Sequence, residues 1–208
     1  MLTIRRLLLL TIIMFLGLSL KAQYMHYGVK AGLNYSYYHL SNQYVFHETE
    51  GAGLGFHGGA FVRRDLGMFF AQVDADFIYG MKGKVSFRGN ESEISMSAIS
   101  VPLSLGRYFN SDMLRVYAGL VPGYYFGTEN LMSFLETSHL NAPGSYGGGP
   151  GLGYLFGTGF DLKKPTISID IRYEGNILGG FYSVSRDPNI LTDHRFSHLM
   201  LSLGFRLK

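Results

Sequence analysis

Five cations, Lys30, Arg63, Arg115, Arg172 and Arg206, and five carboxylates, Asp74, Asp76, Asp161, Asp170 and Glu174, are the largest set of residues in this chain whose types could do chemistry. Each lies on the polar side of a stretch in which apolar and polar residues alternate. The equal numbers of each sign point to mutual neutralisation. If such groups are enclosed they must be paired and hydrogen-bonded, because an isolated buried ion is very costly. The expected outcome is a salt-bridged plug, and the alternative is a selective path for small solutes or ions.

Other constellations are smaller. In His39-Leu40-Ser41 the His and Ser are two residues apart and share a strand face, with Glu48 and Glu50 close in sequence. A Ser/His/acid set of this kind could cleave an ester at a lipid boundary, although a pair of loop residues is the commoner origin of the spacing. Asp74-Ala75-Asp76 puts two carboxylates on one face, but no His spacing accompanies them, so ion pairing is expected and no metal is assigned. His26, His47, His57, His139, His194 and His198 show no ligand spacing. Gly147-Gly148-Gly149-Pro150-Gly151 lacks the Gly-Lys-Ser/Thr ending of a phosphate loop and reads as a loop entering a glycine-rich strand. No catalytic, cofactor-binding or metal-binding residue is therefore assigned.

The elements that would position these residues are strands. Ile167, Ile169, Ile171 and Tyr173 alternate with Thr166, Ser168, Asp170, Arg172 and Glu174, so one face is apolar and the other charged. Residues 197–208 repeat the pattern, as do 27–38, 53–63, 69–82, 94–109, 114–126 and 148–162, which makes eight segments. Their connections alternate between short and long. The short ones are Arg64-Asp65-Leu66, Asn110-Ser111-Asp112 and Lys163-Lys164-Pro165; the long ones cover 40–52, 83–93, 127–147 and 178–195. Outer-membrane barrels have short periplasmic turns and long external loops. About ten residues rising roughly 3.3 Å each and tilted near 45° span about 23 Å, close to the apolar band of such barrels.

A soluble barrel has the same period with its polarity reversed, so the faces must be decided separately. The polar face carries Gly28, Gly32, Gly59, Gly149, Gly151, Gly153, Gly157 and Gly159. Glycine on a solvated face only weakens a strand, whereas in a narrow lumen it makes room for long partners. Tyr27, Tyr35, Tyr37, Phe69, Tyr79, Tyr124, Tyr173 and Phe205 sit towards strand ends, as interfacial girdles require. The polar face is therefore expected inside.

The bulk numbers agree. Charged residues make up 16% of the chain, against about 25% in soluble domains. There is no cysteine, which excludes a disulfide framework, a thiolate site and an acylated N-terminal cysteine. Residues 1–22, with Arg5 and Arg6 before a largely apolar run and Ala22 at the expected cut, read as a signal peptide. Its removal takes Arg5, Arg6 and Lys21 from a formal net charge of +3 and leaves residues 23–208 near neutral, with no basic surface for nucleic acid.

The stretches GVKAGLN (28–34), GFHGGAFV (55–62), ISVPLSLGRYF (99–109), YAGLVPGYYF (117–126), GTGFDL (157–162) and LSLGFRL (201–207) together resemble the PorT-like outer-membrane β-barrel family of Gram-negative bacteria (outer membrane protein beta-barrel domain). The resemblance implies a barrel in the outer membrane and no defined activity. The last residue is Lys208 where many barrels have an aromatic, so Phe205 is the expected assembly signal.

The sequence thus predicts an all-β protein, an eight-stranded antiparallel up-and-down transmembrane β-barrel. It is expected to be monomeric, to contact outer-membrane lipid, and to meet other envelope proteins through its extracellular loops. A non-enzymatic scaffold with a plugged lumen is the leading expectation. A narrow channel or accessory subunit of an export or uptake complex comes second, and a lipid-modifying hydrolase is the remote alternative.

Overall fold

The structure, a computed structural model, describes residues 25–42, 46–87, 90–109, 113–126, 146–162, 166–183 and 192–207. The expected signal peptide and the turns at 110–112 and 163–165 lie outside these residues. Strand segments β1 (Met25–Asn42), β2 (Phe46–Leu66), β3 (Phe69–Phe87), β4 (Asn90–Ser100), β5 (Leu103–Phe109), β6 (Leu114–Phe126), β7 (Tyr146–Asp161), β8 (Ile167–Ser183) and β9 (Thr192–Arg206) follow in order. All pairings are antiparallel, and β9 closes on β1 from Gly28↔Arg206 to Asn42↔Thr192.

β4 and β5 both lie between β3 and β6 and are two lengths of one barrel strand, so the ring has eight strands. The expected single strand over 94–109 is interrupted at Val101-Pro102. Proline has no N–H to give the ladder, yet hydrogen bonds continue across the break: Asp74 N donates to Pro102 O at 2.9 Å, and Val101 N to Pro122 O at 2.8 Å.

The faces are as expected. Outward positions are apolar and open, with Leu105 at 68%, Phe56 at 65% and Leu203 at 60% exposure, while Arg115 is at 0% and Arg63 at 2%. Apolar exposure around a whole ring far exceeds what a soluble monomer tolerates, and suits a barrel in lipid.

Four connections differ from expectation. The first turn is Gly67-Met68, closing Leu66↔Phe69, and not Arg64-Asp65-Leu66. Gly67 has φ +78° and open space around it, so Gly67→Ala meets only the backbone penalty of the left-handed region. It is expected to lower stability by about 1 kcal/mol, measured as a lower urea midpoint of the folded band in cold gel electrophoresis.

The described parts of the stretches 40–52, 83–93 and 178–195, expected as loops, are ladder. β1 and β2 stay paired to Asn42↔Phe46, and β3 and β4 to Phe87↔Asn90. Beyond the lipid the two faces need not differ in polarity, so alternation fades while backbone pairing persists. The ring does not persist with it. β2 and β3 part above Phe56↔Tyr79, where β3 carries a bulge containing Gly80 at φ +71°. β8 and β9 part above Gly175↔Ser197, while β9 stays with β1. The barrel top therefore divides into separate ribbons.

Candidate functional site: the lumen

Inward positions follow strand parity, so a residue two places from a lumen charge also faces the lumen. At the end next to the Gly67 turn, His26 Nε2 lies 2.8 Å from Asp65 Oδ2, and the Tyr108 hydroxyl donates to Asp65 Oδ1 at 2.6 Å. Asp65, expected in a turn, is a strand residue at the barrel mouth.

Above this mouth the structure brings together all ten predicted charges, in two groups. In the first, Asp161 Oδ2 is approached by Arg63 Nη1 at 2.8 Å, Arg115 Nε at 2.9 Å and Arg206 Nη2 at 3.5 Å. Arg115 also reaches Asp170 at 2.9 Å, where the Tyr117 hydroxyl donates as well, at 3.1 Å. In the second, Lys30 Nζ binds Asp74 at 2.7 Å and Asp76 at 2.9 Å. Arg172 binds Asp76 at 2.8 Å and lies 3.8 Å from Asp74. Arg172 Nε is 2.9 Å from Glu174 Oε1, at an angle that makes this a charge contact and not a hydrogen bond.

Three cations face two carboxylates in the first group, and two face three in the second. Gln72 joins the groups: Arg63 Nε donates to Gln72 Oε1 at 2.7 Å, and Gln72 Nε2 donates to Asp74 at 2.9 Å. With this bridge the opposite imbalances cancel within one connected network. It draws on β1, β2, β3, β6, β7, β8 and β9 and so crosses the lumen.

A neutral polar group lies further along. His57 Nε2 and Ser202 Oγ are 2.7 Å apart, His198 Nδ1 is 2.8 Å from Ser36 Oγ, and Asn34 Nδ2 donates to the same hydroxyl at 2.9 Å. These residues, with Gln72 and Tyr117, are absent from the predicted set. Parity alone would have placed them inside.

Aromatic rings also fill the lumen. The Arg63 guanidinium lies 5.5 Å from the Phe61 ring centre and 5.2 Å from that of Phe70, and Arg115 is 5.9 Å from Phe70. Inward glycines make the room: a Cβ on Gly159 would meet the Arg115 guanidinium, one on Gly28 the Phe61 ring, and one on Gly157 the Tyr117 ring. The space was expected for long charged partners, and rings take much of it. A cavity among the described residues, between Lys30, Gln72, Tyr117, Asp170 and Arg172, is on the scale of a single water.

Asp74 and Asp76, weighed as a metal pair, face Lys30 and Arg172. Among the described residues no group of three or more His, Cys, Asp or Glu could hold a metal. In the ladder, His39 lies opposite Glu50 and Ser41 opposite Asp193; here the structure describes backbone alone.

A closed antiparallel ring, apolar outside and charged within, defines a small membrane β-barrel. A family model for the outer membrane protein beta-barrel domain matches residues 19–177, and the chain belongs to that family. Neisserial surface protein A is 16% identical, with 86% of this chain and 96% of that one covered and a TM-score of 0.45. Ail, the attachment invasion locus protein of Yersinia pestis, in complex with the heparin analogue sucrose octasulfate, is 16% identical, with 89% and 100% covered and a TM-score of 0.46. The toluene transporter TodX of P. putida is 10% identical, with 90% and 59% covered and a TM-score of 0.34. No curated protein matches the chain.

Proposed function

We propose that this protein is a PorT-like integral outer-membrane barrel, exported by a cleaved signal at residues 1–22, that acts as a non-enzymatic scaffold. Its lumen is closed by its own side chains, and its contacts with envelope partners are made by the hairpins and loops beyond the barrel. The observation that carries this reading is the connected network from Arg206 and Asp161 to Arg172 and Glu174, which crosses the lumen and encloses, among the described residues, a cavity on the scale of one water. An eight-stranded ring is just wide enough to be filled in this way, and a solute path would have to break several buried ion pairs at once.

Planar-bilayer recording tests the reading. The reconstituted barrel is expected to give no steady current above that of protein-free bilayers. A reproducible ion-selective current would replace the scaffold by a narrow channel. Purification in mild detergent with a stoichiometric envelope partner would make it an accessory subunit.

A further inference from the structure

Among the residues whose side chains are described, the outward face of the barrel carries charge at two positions, Arg64 and Arg107, and no carboxylate. Both arginines lie near the Gly67-Met68 end of the barrel. Arg107 pairs with Phe69, the residue after that turn, and Tyr108 N donates to Met68 O at 2.9 Å. Every other described outward neighbour of Arg107 is apolar.

The Arg107 side chain is held between two rings. Its guanidinium carbon lies 5.9 Å from the Phe69 ring centre and 5.2 Å from that of Phe109, within the range of a cation–π contact. Both rings are themselves open to the surroundings, at 52% and 42% exposure. Among the described residues no protein acceptor or carboxylate meets the guanidinium. The arrangement thus fixes a cation at the boundary of the apolar band, with its N–H fork not taken up by any described residue.

We infer that Arg107, steadied by Phe69 and Phe109, binds the phosphodiester of a net-anionic phospholipid in the leaflet at the periplasmic end of the barrel. The inference rests on the membrane-barrel reading above. A planar guanidinium matches phosphate through two parallel hydrogen bonds. Arginine facing lipid is costly at the midplane of a barrel's apolar band and costs little near its edge, so this position suits a headgroup contact. A net-anionic lipid is favoured over a zwitterionic one because no carboxylate among the described residues balances the cation, and an ammonium headgroup would meet like charge.

The chain has no tryptophan, so one introduced Trp reports a single place. Val116→Trp puts the reporter opposite Arg107 in the ladder and keeps both phenyl rings; Leu203→Trp puts a control on β9, outside the site. Both proteins are reconstituted in phosphatidylcholine vesicles containing either brominated phosphatidylglycerol or brominated phosphatidylcholine, and Trp quenching gives the relative affinity for the two lipids. Phosphatidylglycerol is expected to be preferred about fivefold in the Val116→Trp protein and not in the Leu203→Trp control. Adding Arg107→Gln to the Val116→Trp protein should abolish the preference. Equal quenching of the Val116→Trp reporter by the two lipids, or a preference that survives Arg107→Gln, would overturn the site. Should the Gln variant fail to refold, Arg107→Lys replaces it: the loss of the two-pronged fork must lower the preference, and an unchanged value overturns the site. If neither lipid quenches either reporter, the membrane-barrel reading itself fails, an outcome distinct from equal quenching by both.

Discussion

Arg172→Met is expected to destabilise the folded barrel by about 3–5 kcal/mol, the usual effect of removing one partner from a buried ionic group. Arg172 is 3% exposed and faces Asp74, Asp76 and Glu174, all buried. Without it Lys30 alone opposes three carboxylates. The measurement is the urea midpoint of the folded band on cold gels after reconstitution. Adding Asp76→Asn and Glu174→Gln should restore much of the loss, because the cost comes from uncompensated charge and not from the missing side-chain volume. A midpoint unmoved by Arg172→Met would mean that water reaches these carboxylates, and the closed lumen would have to be given up.

Gly157→Ala should cost about 1–3 kcal/mol, as overpacking in a filled interior does. The new methyl would overlap the Tyr117 ring, with Cε2 and the hydroxyl oxygen both at 2.6 Å. That ring is hemmed in: it packs edge-on against Phe70, with centres 6.2 Å apart, and its hydroxyl is tied to Asp170. Combining Gly157→Ala with Tyr117→Ala in a double-mutant cycle should give a loss smaller than the sum of the two single losses. Additive losses would show that the ring moves aside freely.

Most of this interior was legible because parity is a strong constraint. Once Arg172 and Glu174 are placed on one face of β8 and Asp74 and Asp76 on one face of β3, all four must enter the same lumen, and they meet there. The partners of each charge were not legible, since pairing depends on the stagger between strands and not on the pattern within any one of them. Phe61, Phe70 and Tyr117 escaped for a different reason. Aromatic residues in a barrel strand suggest the lipid side, and only their two-residue spacing from Arg63, Gln72 and Arg115 shows otherwise. The Arg64-Asp65-Leu66 stretch looked like a polar turn, but it continues the strand, with Asp65 facing inward as Arg63 does, and Gly67 makes the turn. The hairpin extensions were hidden because backbone hydrogen bonds leave no mark on composition.

The ion pairs also join residues far apart in the chain. Arg63 and Asp161 are 98 positions apart, and Asp76 and Arg172 are 96. During biogenesis, an unclosed sheet of the first few strands would hold Lys30, Arg63, Asp74 and Asp76 before Asp161 and Arg172 have arrived. These four ions sum to zero, but Arg63 still lacks Asp161 and Asp76 still lacks Arg172; carrying them incompletely paired into hydrocarbon would be prohibitive, whereas the finished ring gives each its partner. The seam between β1 and β9 therefore ties insertion to closure, favouring entry into the bilayer only once the last strand has docked.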